Sequence, residues 1–374
     1  MLKLLHLADL HLDSPFKNLS YIESVEQRQK QRGVFSAALD YASKQDCCAV
    51  LISGDLFDCE FYTTDTVSFL IKSFNDHPNI KFIITPGNHD PYRHGSPYTV
   101  VDFPENVYIF TDEDISDISF PELDLNIYGY AFTSNSYKKQ PLEDFTAKQK
   151  GFNILCAHSD IDIPASEYAY ISPSQIEDSR LDYIALGHIH TKPEIMKKGK
   201  TLYAYSGCIA GRDFSEYGEK GGLLVTLSEM GGEKIVHAER VTFCLWEYVT
   251  ENISIDGCAS QQNAVEMIKS VIDEHTKAGL DRIISITLYG NINFTIDSAA
   301  ITRALSELGV VETDVGACFL SDFGALEEDY SIRGEFYRQL KPLLLSDDAD
   351  QRNTALRALR FGLNALNGAD ITLE

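Results

Sequence analysis

Pro86-Gly87-Asn88-His89-Asp90 puts an amide, an imidazole and a carboxylate directly behind a turn. In front of it, Ile80-Lys81-Phe82-Ile83-Ile84-Thr85 is short, mostly apolar and β-branched, the pattern of a buried strand emptying into a loop. The arrangement recurs four times. Leu4 to Ala8 runs into Asp9-Leu10-His11, and Ala49 to Ser53 into Gly54-Asp55-Leu56-Phe57-Asp58. Phe152 to Ala157 runs into His158, and Tyr183 to Leu186 into Gly187-His188-Ile189-His190. Asp9, His11, Asp55, Asn88, His158, His188 and His190 therefore form a set of ligand-capable groups at strand ends. Seven ligands overfill one tetrahedral site but fit two cations that share a carboxylate. Carboxylate, imidazole and amide oxygen without thiolate suit Mn²⁺, Fe²⁺ or catalytic Zn²⁺. Two such ions, about 3.5–4 Å apart, clamp the attacking and leaving oxygens of an in-line displacement at phosphorus and acidify the water between them. His89, next to Asn88, is expected beside the site, ready to protonate a leaving alkoxide, with the Asp58 carboxylate orienting its ring.

Each element alone is weak, since an Asp-x-His after a strand is usually a turn and a lone His in an apolar run is usually core. His6, His237 and His275 lie outside the strand-end set and take the core or surface reading. Cys59, Cys156 and Cys208 sit close to site loops but in no ligand slot, and read as buried thiols. Arg93, His94, Arg212 and Phe214 follow site strands; phosphate or base contacts and ordinary loop packing fit them equally well.

A strand–loop–helix alternation must hold these groups. Ser20-Tyr21-Ile22-Glu23 has the form of a capping box, and Val34, Ala37, Ala38 and Tyr41 recur at helical spacing toward Lys44. Thr64 to Asn75 is a second helical stretch, so the chain opens β-α-β-α-β, with ligands expected outside the carboxyl ends of the strands. Asp112 to Asn126 reads as an acidic, solvated connection before a strand at Leu125 to Phe132, and Lys138-Lys139 and Lys148 to Lys150 as exposed loop. Thr201 to Ser206, Gly222 to Leu227 and Lys234 to Phe243 resemble a β-meander, with Lys197 to Lys200 as a turn. The expected architecture is an α/β fold: two sheets face to face with helices outside, over residues 1–244. From Trp246 the pattern restarts as a small α+β unit (245–329) without candidate ligands, followed by a helical tail (330–374). In that tail Leu356, Leu359, Leu363 and Leu366 share a face near Arg352, Arg357 and Arg360. The stripe fits either packing on its own domain or docking of a partner helix.

At 374 residues the chain is long enough for two domains. Met1 to Leu12 lacks a basic leader pattern, and no apolar run approaches the roughly 18 residues of a membrane helix, so a chain neither exported nor spanning is expected. Eight cysteines without a Cys-x-x-Cys spacing fit a reducing cytoplasm. A formal net charge of −24 repels polyanions and argues against a free-standing nucleic-acid binder, unless metal neutralises carboxylates or affinity is local.

Asp9-x-His11, Gly54-Asp55-x-x-Asp58, Gly87-Asn88-His89-Asp90, Ala157-His158 and Gly187-His188-x-His190 together resemble the calcineurin-like metallophosphoesterase superfamily. The resemblance implies an α/β-β-α sandwich with a dinuclear centre. Asp9, His11, Asp55 and His190 would hold one metal, and the bridging Asp55 with Asn88, His158 and His188 the other. His89 and Asp58 would be the catalytic pair. Within the superfamily, Leu7-Ala8-Asp9-Leu10-His11-Leu12-Asp13-Ser14-Pro15-Phe16, Leu186 to His190 and Tyr205-Ser206-Gly207 are similar to SbcD-type bacterial DNA repair exonucleases. That likeness implies Mn²⁺-supported cleavage of DNA, a small capping domain, a tail that docks on an SMC-like ATPase, and a homodimer. Three other functions compete. Phosphoprotein phosphatases of the superfamily carry Arg where Cys59 stands and Glu where Asp90 stands. A cyclic-nucleotide or small-molecule phosphodiesterase shares every ligand and suits an acidic surface, but leaves the second domain without a task. A non-catalytic interaction protein on the same fold would have no use for the intact set.

Overall fold

The computed structural model describes residues 1–16, 21–59, 62–148, 150–191, 194–274, 280–292, 294, 296–320, 323–346 and 349–366. Its Cα positions cluster into two compact units, residues 1–249 with 279–281 and residues 250–278 with 282–374.

In chain order the first unit contains β1 (Leu2–Leu7), α1 (Tyr21–Lys44), β2 (Ala49–Ser53), α2 (Thr64–Asn75), β3 (Lys81–Thr85), a one-turn α3 (Pro97–Val100) and β4 (Val107–Ile109). It continues with β5 (Ser116–Phe120), β6 (Leu125–Gly129), β7 (Phe152–His158), α4 (Pro173–Asp178), β8 (Tyr183–Gly187), β9 (Glu194–Lys198), β10 (Thr201–Tyr205), β11 (Gly221–Met230) and β12 (Glu233–Thr242). The strands form two six-stranded sheets, ordered β12-β11-β1-β2-β3-β4 and β5-β6-β7-β8-β10-β9. β1, β2, β3 and β4 run parallel, as do β6, β7, β8 and β10. A parallel strand covered on both faces reads as an unbroken apolar run, which is why Ala49–Ser53 and Tyr183–Gly187 are buried throughout.

Leu4, Leu51, Ile83 and Val225 of the first sheet share one core with Ile127, Ile154, Tyr183 and Ala204 of the second, so the sheets pack face to face. Outside the first sheet lie α1 and α2, with Phe74 against Phe35 and Phe82. α1 buries Val34, Phe35, Ala38, Leu39 and Ala42, whereas the expected Ala37 is exposed and Tyr41 half-buried. Ser20, half of the expected capping box, lies outside the described residues, as does His275. The second sheet's outer face is covered by Tyr130, Phe132, Tyr137 and Leu142 with Ile176 of α4.

Near their carboxyl ends the sheets are also stapled by polar groups. The Tyr183 hydroxyl donates to His6 Nδ1 (2.9 Å) and His6 Nε2–H to the Leu186 carbonyl (3.2 Å). Ser53 Oγ donates to the Ala185 carbonyl (3.0 Å) and Thr85 Oγ1 to the Cys156 carbonyl (2.9 Å). A Cβ on Gly187 would stand 1.8 Å from the Ser53 carbonyl oxygen, so only glycine permits this approach. Burial lowers His6 to a pKa of about 3, against the smaller opposing pull of the Leu186 carbonyl; the ring is a neutral core group.

Two expectations change. Residues 112–126 are not simply a connection: Ser116–Phe120 is an edge strand antiparallel to β6, followed by a short 3₁₀ turn. Ile118 and Phe120 face the core and alternate with exposed Asp117 and Ser119, but two apolar residues in a polar, acidic stretch are a weak strand signal. The expected meander is divided between the sheets, β10 pairing with β8 and β9 while β11 and β12 form a hairpin beside β1. His237 is exposed on that hairpin.

β13 (Trp246–Ser254) leads out of the first unit. The second unit adds α5 (Gln261–Glu274), β14 (Asp281–Ile292), α6 (Ser298–Leu305), β15 (Val310–Leu320), α7 (Phe323–Glu328), α8 (Ile332–Leu344) and α9 (Ala349–Leu366). Its sheet runs β13-β14-β15. In the tail, Leu359 and Leu363 pack with Leu326 of α7 and Tyr337 of α8, the self-packed alternative, while Leu366 is exposed. Arg357 is exposed, and the side chains of Arg352, Leu356 and Arg360 lie outside the described residues. No described helix is long and apolar enough to cross a membrane.

Candidate metal centre

All five strand ends meet at one edge. One ligand atom each from Asp9, His11, Asp55 and His190 lies within 4.8 Å of the others. His11 Nε2 is 3.0 Å from His190 Nε2 and 3.6 Å from Asp55 Oδ2, and His190 Nε2 is 3.7 Å from Asp9 Oδ1. On the other side of Asp55, His158 Nε2 stands 3.4 Å from Asp55 Oδ2, 2.8 Å from Asn88 Oδ1 and 3.2 Å from His188 Nδ1. The structure thus brings together all seven residues singled out at strand ends.

The loops that deliver them are bent. Asp9, His11, Asp55 and His188 have φ of 50°, 45°, 52° and 106°, backbone that L-residues adopt at a cost of about 1–3 kcal/mol each. Backbone bonds from Asp9 N to the Gly54 carbonyl and from His11 N to the Asp55 carbonyl hold the first two loops side by side. Gly54 has φ +89°, and a Cβ there would meet His158 Nδ1 at 2.2 Å.

Two of the imidazoles are aimed by what their other nitrogen bonds. His158 Nδ1–H donates to the Ser53 carbonyl (3.0 Å), which leaves the Nε2 lone pair facing Asn88 and Asp55. His190 Nδ1–H donates to Glu216 Oε1 (2.7 Å), which leaves its Nε2 facing Asp9 and His11. The His188 main-chain N–H donates to the Asp9 carboxylate (3.1 Å), while its ring Nε2 lies 3.6 Å from Asp160. His89 sits exposed at the rim, its ring edge-on to His11.

Asp58 departs from expectation. His89 Nδ1–H donates to the Asp58 main-chain carbonyl (2.8 Å), not to its carboxylate. The carboxylate turns away, accepting from Arg212 Nη1 (2.6 Å) and lying 3.1 Å from His11 Nδ1. That last contact is off the N–H direction, and His11 Nδ1 is buried without a hydrogen bond. Arg212 is accordingly part of a buried ion-pair network, not a free loop arginine.

Sequence reasoning missed both Glu216 and Asp160: Glu216 stands in a loop with no strand-end pattern, whereas Asp160 stands two residues past the end of β7, the same offset as His11 from Asp9, and carries that signal. Asp90 likewise escaped a role: its buried carboxylate accepts from Phe57 N (3.0 Å), Gly87 N (2.7 Å) and Tyr98 Oη (2.6 Å), tying two site loops together. Burial and the charge of Asp55 raise it to about 7. Cys156 and Cys208 are buried and Cys59 is half-buried, and none of the three is in the ligand set.

The electrostatics suit a cation. Burial holds His11 well below its ordinary value, and burial with the neighbouring His158 lowers His188 to about 4, so both are neutral at pH 7, the form that ligates. Burial raises Asp9. Burial also opposes ionisation of Asp55, but His158, His11 and His89 around it outweigh that and hold it low. Burial lowers His190 too, but Glu216 and Asp9 outweigh it and raise that ring, so there the proton and a cation compete. Carboxylates, inward-facing imidazoles and one amide oxygen are a donor set for divalent metal.

Comparison with known proteins adds four findings. The family model described as calcineurin-like phosphoesterase matches residues 2–192. The chain is 26% identical over 300 residues to an uncharacterized metallophosphoesterase, YhaO, of Bacillus subtilis, covering 77% of this chain and 72% of that one. It is 27% identical over 218 residues to the DNA double-strand break repair protein Mre11 of Saccharolobus solfataricus, covering 55% of this chain and 54% of that protein. Among solved structures, vacuolar protein sorting 29 of Cryptosporidium parvum matches at 14% identity and TM-score 0.31, over 64% of this chain and 98% of that one.

Proposed function

Because the chain belongs to the calcineurin-like phosphoesterases, a family of hydrolases that use divalent metals, we propose that it is a phosphodiesterase acting on DNA ends, of the SbcD type. The observation that carries the phosphodiester reading is the meeting of Asp9, His11, Asp55 and His190 beside Asn88, His158 and His188, with His89 at the rim. In this reading Asp9, His11, Asp55 and His190 hold one ion, and Asp55, Asn88, His158 and His188 the other, Mn²⁺ being preferred. When bound, such a pair supplies Lewis acidity toward a phosphoryl group and lowers the pKa of water. The chain's own residues do the rest. The Asp58 carbonyl commits His89 Nδ1–H, leaving Nε2 to carry the proton that a leaving oxygen takes. Ser53 and Glu216 keep His158 and His190 turned inward.

Likeness to an archaeal double-strand break repair protein supports DNA as the substrate. Partners follow from the same reading: an SMC-like ATPase that docks on the helical tail, and a second copy of the chain. Such docking would use α8–α9 surface that includes the exposed Leu343 and Leu366, because Leu359 and Leu363 are already covered.

A net charge of −24, and the pairing of Lys138 with Glu167, Lys139 with Glu113 and Lys148 with Asp117, favour a small phosphodiester such as a cyclic nucleotide. Incubation with Mn²⁺ and end-labelled duplex, and separately with cyclic nucleotides and a chromogenic phosphodiester, separates the two. The proposal expects shortened duplex; turnover of the small esters alone would retire it.

A further inference from the structure

Glu216 is a carboxylate buried to 3% exposure, and such a group is costly unless it is fully paired. It accepts from His190 Nδ1 (2.7 Å), from the Arg212 main-chain N–H (2.8 Å) and from Arg212 Nε (3.0 Å). Arg212 in turn reaches across to Asp58 Oδ1 (2.6 Å), the residue whose carbonyl anchors His89. All three guanidinium nitrogens are bonded to these two acids, so Arg212 is a bracket and not a grip for substrate phosphate.

The main chain of His190 is fixed independently. Its carbonyl accepts from Lys220 Nζ (2.7 Å) and from Cys208 N (3.5 Å). What Glu216 adds is the direction of the ring: with Nδ1–H committed, Nε2 faces Asp9 and His11. A carboxylate behind a ligating histidine fixes its tautomer and raises its basicity, and removing such a partner costs about 10–100-fold in metal affinity.

We propose that Glu216 and Arg212 are positioning residues for the Asp9–His11–Asp55–His190 half of the centre, acting through the His190 ring. The proposal rests on the reading of the centre as a divalent-metal site.

The test is an equilibrium titration of the purified full-length chain with Mn²⁺, free ion being read by electron paramagnetic resonance, beside thermal melting of the metal-free protein. The parent is expected to take up two ions. Glu216→Gln, which keeps the shape and drops the charge, should weaken one site about 10–100-fold and leave the other within about twofold. Its metal-free melting temperature should fall as well, because half of a buried ion pair is gone; a loss of affinity confined to one site is what marks positioning. Arg212→Gln should weaken the same site, and the double variant should lose less than the product of the two singles. If Glu216→Gln does not fold, Arg212→Gln reads the same site. A variant curve that superposes on the parent's overturns the proposal. So does an equal loss at both sites, the mark of a purely structural ion pair. A parent that binds no Mn²⁺ overturns both this proposal and the metal-site reading, and so is distinguishable from failure of the proposal alone.

Discussion

On one side of Asp55, His190 is turned by a buried carboxylate that leans on a guanidinium; on the other, His158 is turned by a main-chain carbonyl, that of Ser53. The Ser53 side belongs to the seam where the two sheets touch, with Gly187, Ala185 and Cys156 packed against it. No side-chain change at Ser53 removes that carbonyl. The Glu216 side depends on two charged residues in a loop after β10, and either can be altered without touching a strand. One half of the centre is therefore held by the fold itself, and the other by a replaceable ion-pair network.

Variants at the rim and on each side probe this asymmetry. His89→Ala removes no ligand of either half, so turnover should fall about 10²–10⁴-fold while both Mn²⁺ ions stay bound; parallel loss of metal would assign His89 to the ligand set instead. Asn88→Ala should act as the mirror of Glu216→Gln, weakening the His158 side by more than about 100-fold, beyond the cost of losing an outer partner, and sparing the His190 side. Equal weakening of both sites in that titration would erase the distinction between halves. Gly54→Ala should strain the φ +89° turn and push a methyl into His158. A loss of about 1–3 kcal/mol in denaturant-measured stability is expected, with the larger affinity change on the His158 side, which the new methyl meets directly.

The seam also has a pH signature. His6 is neutral in the folded protein, with a pKa of about 3, against an ordinary 6.5 once unfolded. Between those values the unfolded chain binds the extra proton, so stability is full above about pH 6.5 and declines as pH falls toward 3. The slope from this one group approaches about 1.4 kcal/mol per pH unit. Urea melts from pH 7 to pH 5 should show it, and His6→Gln, whose amide cannot charge, should flatten it. An unchanged slope in His6→Gln would place the acid sensitivity elsewhere.

Much of this centre was legible because strand ends leave a strong local mark. Ile80 to Thr85 or Tyr183 to Leu186 must be apolar to lie between layers, and the polar residue that follows must lie at the edge. What escaped reading has, Asp160 apart, little local mark. β5 is an edge strand whose exposed Ser116, Asp117 and Ser119 read as solvated loop. Whether β10 joins β8 or β11 is a long-range pairing, which neighbouring residues do not encode. Glu216 and Arg212 lie in an aperiodic loop, and only the folded chain shows the carboxylate reaching His190. The Asp58 carboxylate was expected on His89, but a nearby guanidinium is the stronger partner, and the carbonyl serves the imidazole instead.

One measurement weighs directly on the central claim that five strand ends cage a pair of cations around Asp55. Crystals of the full chain grown with Mn²⁺, with diffraction recorded on either side of the manganese edge, should show two anomalous peaks flanking the Asp55 carboxylate, one against His11 and His190 and one against Asn88 and His158. A single peak, or density on surface carboxylates with none at Asp55, would contradict it.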